Sequence, residues 1–418
     1  MKHGRRALVI GGSISGLLAA HLLRHAGWDA IVFERNADNL TGRGAGISTQ
    51  PQFAEILRSI DIAFDDSMGI RVDKLICLDQ AGNTVLREPT VRTMSAWSRL
   101  YRALLARLPA EKYRLGMQFE RVEQNSDGVT AIFTDGSREQ GDMLVGADGI
   151  RSSVREQFLP RVQPNYAGYV AWRAMIDESD IPQKIHAEVF NLYTFCFPEG
   201  ELFLGYPVPG RNNETSIGRR SYNIVWYRPT DAATALVDLC TDTGGRRHGM
   251  AIAPPLIRPD VIAGIKVTAR ERVAPQVAEI FARCLQPFFQ PIYDLESPQI
   301  VFGRVSLLGD AAFVARPHVG AGVTKAALDA QSLADALRMN GENVEAGLAR
   351  YQREQLSFGH ALVALSREEG AYLSAQLKPR EQRKGEELHR DIAGVVHTHN
   401  ARNAKIQRLV ASRSASVL

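Results

Sequence analysis

The stretch that most constrains this chain is ALVIGGSISGLLAAHLLRHAGWDAIVFE, Ala7 to Glu34, because it reads as one complete βαβ unit. Ala7 to Ile10 suit a buried parallel strand, Gly11 to Gly16 a tight turn, and Leu17 to His25 carry helical apolar spacing until Gly27 ends the helix. The turn residues Gly11, Gly12, Ser13, Ile14, Ser15 and Gly16 let the backbone approach a pyrophosphate, whose charge then meets unpaired N–H groups at the helix N-terminus. Glu34 lies about twenty residues on, where a carboxylate can accept from a ribose diol, and Arg35 stands beside it. Ser13 replaces the middle glycine of the usual G-x-G-x-x-G pattern. The strand before the turn, the helix after it and Glu34 in register still predict a dinucleotide site.

Composition excludes several other classes. The length of 418 residues allows about two or three domains, and no apolar run is long enough to span a membrane. Lys2, Arg5 and Arg6 imitate the start of a secretory signal, but the glycine turn breaks the apolar run that follows, so a cytoplasmic protein is expected. Cys77, Cys196, Cys240 and Cys284 are far apart and form no C-x-x-C, which points to reduced structural thiols and to no metal. The net charge of +4 is accounted for by the stretch from Lys378 to Leu418, with nine Lys/Arg against four Asp/Glu. Without interleaved aromatics this is a solvated or assembly surface, and no nucleic-acid partner is expected.

Along the chain the texture changes several times. Gln52 to Ile62 reads as a helix, Arg71 to Leu78 and Thr84 to Pro89 as a hairpin around Gly82-Asn83, and Ser95 to Leu108 as a returning helix. Val129 to Phe133 and Gln140 to Val145 flank Asp135-Gly136 as a second hairpin leading into GADGIRSSVR. Strand-like runs follow at Tyr169 to Ile176, Glu188 to Phe197, Leu202 to Pro207 and Tyr222 to Tyr227, with helices at Ala232 to Thr243 and Pro275 to Leu285. This region predicts a mostly antiparallel sheet lying over the nucleotide domain. Parallel texture returns at GRVSLLGDAAFVARPHVGAGVTKAALDA, and from Lys325 onward the pattern is helical.

Three segments, in order and spacing, resemble the motifs of the class A flavoprotein monooxygenases: Gly11 to Glu34, GADG at Gly146 to Gly149 with Arg151 and Arg155, and LLGDAA at Leu307 to Ala312. VIGGSISGL, NYAGYVAWR, LGYPVPGR and GRVSLLGDAAFVARPHVGAG are most similar to the hydroxypyridine hydroxylases of that family. The resemblance implies an α/β fold: a Rossmann-like FAD-binding domain of glutathione-reductase type, an inserted antiparallel substrate domain and a C-terminal helical region. The nucleotide domain would comprise residues 1–70, 93–164 and 295–340, the substrate domain the hairpin 71–92 and residues 165–294, and the helical region residues 341–418. It further implies FAD, NADH or NADPH as co-substrate and O2. The reaction would be hydroxylation, through a flavin C4a-hydroperoxide, of a small electron-rich ring that is 2,6-dihydroxypyridine-like. Another phenol, a hydroxynicotinate or a purine is the alternative substrate, and a halogenase, a prenyl-chain reductase or a non-catalytic flavin- or ligand-binding protein the alternative role.

The same resemblance assigns residues. Asp310, after Gly309, would meet the ribityl chain, and Asp148 would serve FAD and the nicotinamide cofactor; each is otherwise a turn or capping Asp. Gly320, Ala321, Gly322 and Val323 would turn backbone N–H groups toward the flavin ring. Ala321, Thr324 and Leu328 stand where the family has Gln, Asn and Glu, which removes those side-chain contacts, while Asp329 and Ala330 persist. Arg43 and Arg99 would lie near the flavin or its phosphates, or are surface charges. His318, beside Pro317, is the candidate for the group that draws the substrate proton, the alternative being an ordinary loop histidine. Tyr206, Tyr193, Arg173 and Trp226 would line the opposite wall, unless they are core. The long helical end would form a homodimer interface or pack on its own domain.

Overall fold

Two large sheets and a small three-stranded one build the molecule, and the computed structural model describes residues 5–41, 46–48, 50–64, 68–387, 405, 408 and 409. The first sheet has the strand order Val301–Phe302, Val305–Leu307, Met143–Gly146, Arg6–Ile10, Asp29–Phe33 and Tyr113–Arg114. All of its pairings are parallel except the antiparallel edge strand Val301–Phe302. Its central strands are buried on both faces, which explains why Ala7–Ile10 and Met143–Val145 are unbroken apolar runs rather than alternating ones. The helices Ile14–His25 and Gly322–Met339 pack on it in one continuous core.

The second sheet has nine strands in the order Phe313–Val314, Phe288–Glu296, Asn165–Asp177, Ser221–Pro229, Leu202–Val208, Tyr193–Cys196, Ile70–Leu78, Thr84–Ala96 and Gly46–Ser48. It is antiparallel except where Tyr193–Cys196 runs parallel to Ile70–Leu78. One face carries a core around Trp172, Trp226 and Phe281, closed by the helices Pro259–Arg272 and Pro275–Arg283. The other carries Tyr169, Tyr206 and Tyr227. The 32-residue helix Val344–Ala375 spans both units, tying them together.

Several local expectations are corrected. The helix expected from Ser95 runs Trp97–Leu105, because Thr84–Ala96 continues as strand: Ser95 pairs with Ile47 and its hydroxyl donates to Met68 O. This strand also runs through the expected 92/93 boundary, and Phe288–Glu296 runs through that at 294/295. Gln140 to Val145 is not one strand. Arg138–Gly141 closes a three-stranded meander and Met143–Gly146 enters the parallel sheet, with the break at Asp142, which accepts the Arg6 backbone N–H. The strand expected from Glu188 to Phe197 is shortened to Tyr193–Cys196, because His186–Phe190 is helical, with Glu178 bonded to His186. The expected Ala232 to Thr243 helix shrinks to Ala235–Leu239, and the helix Pro259–Arg272 and the strand Phe119–Gln124 were not anticipated. Most of the basic C-terminal stretch lies outside the described residues.

Candidate functional site

Gly11 fixes the geometry of the nucleotide turn. Its φ of +107° belongs to glycine, and a Cβ there would lie 2.4 Å from Ala147 O. The two motif loops therefore touch backbone to backbone. A Cβ at Gly16 would meet Gly11 O at 1.9 Å, so the helix starts directly against the turn. That helix has no side-chain cap at Ser13 and no acidic residue in its first turn, which leaves its N-terminal N–H groups and dipole for an anion. Glu34 is buried and accepts from Gly12 N at 2.8 Å and from Asn36 N at 3.0 Å, so its carboxylate is already aimed at the turn.

A cavity of about 250 Å³ opens over this turn, lined by Gly11, Gly12, Ser13, Ser15, Glu34, Arg35, Asp148 and Asp310. Ile14, Gly16 and Gly309 lie behind the wall as packing. The cavity also includes Asn36, Leu40, Trp97, Phe119 and Arg151, of which only Arg151 belonged to a recognised motif. Beneath it, the Tyr113 hydroxyl donates to Gly12 O at 2.9 Å and meets Tyr101 at 3.0 Å. Nothing in the sequence around Tyr113 marks that role.

The carboxylates differ in their surroundings. Asp148 is pushed above the usual carboxylate range by burial, against hydrogen bonds from Ser152 Oγ at 2.5 Å and Val154 N at 3.2 Å. Asp310 is reached by water through the cleft, yet protein surrounds it. That desolvation pushes its pKa up, opposed by Lys325 and reinforced by Asp329. Arg155 is not at the cavity: it is buried and donates to Ala311 O and Ile150 O, joining the second and third motifs. Below the third motif, Lys325 Nζ donates to Asp329 at 2.7 Å and to Gly309 O at 2.9 Å, and Gly309 N donates to Asp329 at 2.9 Å. Gly309, at φ +62°, thus sits on a buried ion pair that was not foreseen.

A second cavity, of about 300 Å³, lies between the parallel sheet and the aromatic face of the antiparallel one. Tyr193, Tyr206, Arg173, Pro317, His318, Gly320, Ala321, Gly322 and Val323 all line it, as does Asp310. Trp226 does not, which corrects the expectation. Side chains alternate along a strand, so Val225 and Tyr227 face the cavity while Trp226 is buried in the opposite core, its Nε1 donating to Glu201 at 2.8 Å. Tyr227 is the residue one position away that the sequence reading passed over.

His318 is held closely. It is 8% exposed, its Nε2 lies 2.7 Å from the Tyr169 hydroxyl, and its ring centroid is 4.6 Å from that of Tyr227. Pro317 O accepts Gly320 N–H at 2.9 Å, closing the turn that carries the histidine. Arg316 anchors the loop from the other side, reaching fully buried Asp294 at 2.8 Å and Ser374 Oγ at 3.0 Å. Arg99 lines neither cavity and donates to Asn213 O at 3.2 Å. Arg43 lies outside the described residues. No group of His, Cys, Asp and Glu among the described residues could hold a metal, all four cysteines are buried and free, and no described helix is long and apolar enough to cross a membrane.

Comparison with known proteins agrees with this geometry. Residues 5–218 and 297–366 match the FAD binding domain family, and residues 166–294 a family described as FAD binding domain-like. The chain is 30% identical over 359 residues to 2,6-dihydroxypyridine 3-monooxygenase of Paenarthrobacter nicotinovorans, covering 86% of this chain and 89% of that one. It is 28% identical over 376 residues to an FAD-dependent urate hydroxylase of Klebsiella pneumoniae, covering 87% and 88%. The solved structure of 2,6-dihydroxypyridine-3-hydroxylase from Arthrobacter nicotinovorans superposes with a TM-score of 0.82 at 28% identity, over 89% of this chain and 93% of that one.

Proposed function

The chain belongs to the FAD binding domain family and is an FAD-dependent aromatic monooxygenase, and from that premise we propose that it hydroxylates a small N-heteroaromatic ring bearing hydroxyl groups, 2,6-dihydroxypyridine-like. The observation that carries this reading is Asp310, which lines both cavities and so stands where the nucleotide cleft and the aromatic chamber adjoin. Dihydroxypyridine and urate, the substrates in the relatives' names, are both oxygenated nitrogen heterocycles.

The residues present fit FAD: a bare helix N-terminus for the pyrophosphate, Glu34 for the adenosine ribose, Asp310 and Asp148 toward the ribityl end, and the backbone of residues 320–323 toward the ring. When bound and reduced by NADH or NADPH, the flavin supplies the activation of O2. The chain supplies the rest. Tyr193, Phe195, Leu204, Tyr206, Val225 and Tyr227 make a wall that keeps water from the reacting ring. His318, oriented by Tyr169, takes the proton of a ring hydroxyl and so makes the neighbouring ring carbons more nucleophilic.

The experiment is NADH and NADPH oxidation by the FAD-loaded protein against hydroxypyridines, phenols, a hydroxynicotinate and urate, with product masses recorded. Stimulation by 2,6-dihydroxypyridine with gain of one oxygen is expected. Stimulation with hydrogen peroxide release alone would mean that another ring fills the chamber, and stimulation by none of the panel would overturn the reading.

A further inference from the structure

The substrate chamber has two distinct ends. Tyr169 and Arg173 lie on one strand and one face, four residues and therefore about 13 Å apart. At the Tyr169 end sit His318 and Glu369, with the neighbouring Gly370 packed against Tyr169, His318 and Arg316. The Arg316 charge at that end is already matched by buried Asp294. At the other end the chamber is bounded by Arg173, Tyr206 and Gly46, which lie against one another.

Arg173 makes no ion pair among the described residues, its Nε is buried without an acceptor, and its Nη2 donates to Gly46 O at a long 3.4 Å. The Tyr206 hydroxyl likewise makes no hydrogen bond among the described residues, while the nearby Arg173 charge works against the burial that pushes its pKa up. A guanidinium is charged at every working pH and presents its donors as a planar fork that matches two oxygens. Arg173 is half-buried, and a partly desolvated guanidinium without a counter-ion gains from a ligand that supplies one.

Resting on the hydroxylase reading above, we propose that Arg173, with the Tyr206 hydroxyl, is a specificity site for an anionic oxygen of the substrate, a carboxylate or an ionised ring hydroxyl. The anion is drawn to the Gly46 end, which turns the opposite edge of the ring toward His318. Neutral rings lack this orientation and bind weakly.

The test is equilibrium binding to the FAD-loaded protein, read from the change in flavin absorbance on titration. Three probes separate the sources of charge: 6-hydroxynicotinate carries a carboxylate, 2,6-dihydroxypyridine an acidic ring hydroxyl alone, and 2-hydroxypyridine stays uncharged at neutral pH. In Arg173→Gln, the Kd for at least one anionic probe should rise about 10- to 100-fold, as expected for one lost charge-assisted contact, and that for 2-hydroxypyridine less than twofold. Arg173→Lys, checked for wild-type flavin content, should recover part of the loss. Which anion responds identifies the carboxylate or the ring oxygen as the partner. If Arg173→Gln weakens all three probes equally, or leaves unchanged an anion that the wild type binds, the proposal is overturned while the hydroxylase reading stands. If the wild type binds none of the three and hydroxylates no ring, both fall.

Discussion

His318 Nε2 and the Tyr169 hydroxyl meet at 2.7 Å, joining the loop before the Gly322–Met339 helix to the strand Asn165–Asp177. The bond crosses between the parallel and antiparallel units, beside the second cavity, which His318 lines. The histidine ring is thereby held by a residue that is itself fully buried, and its orientation depends on the docking of the two sheets. Arg316, two residues earlier, ties the same loop to Asp294 and to the Val344–Ala375 helix.

His318→Gln should lower the rate of product formation by about 10²- to 10⁴-fold, the range for a lost proton-transfer group. Flavin content should be unchanged. Tyr169→Phe, which leaves the imidazole but removes its partner, should lower kcat by a smaller factor and displace the pH profile of kcat. Steady-state kinetics across pH with product quantitation checks both. An unaltered profile in Tyr169→Phe would show that the bond only packs the loop.

The nucleotide turn was legible because its constraints are written in residue type. Gly11 must adopt φ +107° beside Ala147, and Glu34 must reach Gly12, so both survive as visible pattern. Trp97 and Phe119 reach the same cavity, and Tyr113 the turn beneath it, from elements far along the chain, and nothing in their own neighbourhoods records the meeting. The failure at Trp226 is one of parity. Both faces of that strand are apolar, one against the helix Pro275–Arg283 and one against the chamber, so alternation gave no means of deciding which face was which. Lys325 shows a further limit: a lysine inside a helical pattern reads as surface, and only the return of Asp329 and Gly309 to the same spot explains its burial.

Glu34→Ala should weaken FAD binding by about 10- to 100-fold, the effect of losing hydrogen bonds to one charged group. Its carboxylate is buried, so Glu34→Gln, which keeps the volume and loses the charge, separates packing from recognition. Fluorescence titration of apoprotein with FAD measures both. Equal affinity in Glu34→Ala and wild type would remove the ribose assignment.

Asp329→Ala should destabilise the protein by about 3–5 kcal/mol, because it leaves the Lys325 ammonium buried and unpaired. The double variant Lys325→Met/Asp329→Leu should recover much of that loss, since the two charges are removed together. Denaturant unfolding of both flavin-free proteins, followed by fluorescence, gives the comparison, and a double variant no better than the single one would mean that the Gly309 N–H contact dominates.

Glu178 sets a pH dependence far from the active site. Its carboxyl is buried, which alone would raise its pKa, but hydrogen bonds from Arg220, His186 and the Arg220 backbone N–H outweigh that and bring it down to about 2. A carboxyl whose pKa is lower folded than unfolded contributes stability that is fully present above its unfolded value and is lost as pH falls through the folded one. The drop from 4.5 to about 2 corresponds to about 3 kcal/mol. Glu178→Gln should therefore be less stable than wild type at pH 7 by an amount of that order, and the gap should close between about pH 4.5 and pH 2. Measuring the unfolding midpoint of both proteins across that window tests the sign as well as the size. A gap that stays constant down to the acid limit would mean that the substituted amide disturbs packing around Arg220 and that the charge of Glu178 itself contributes little.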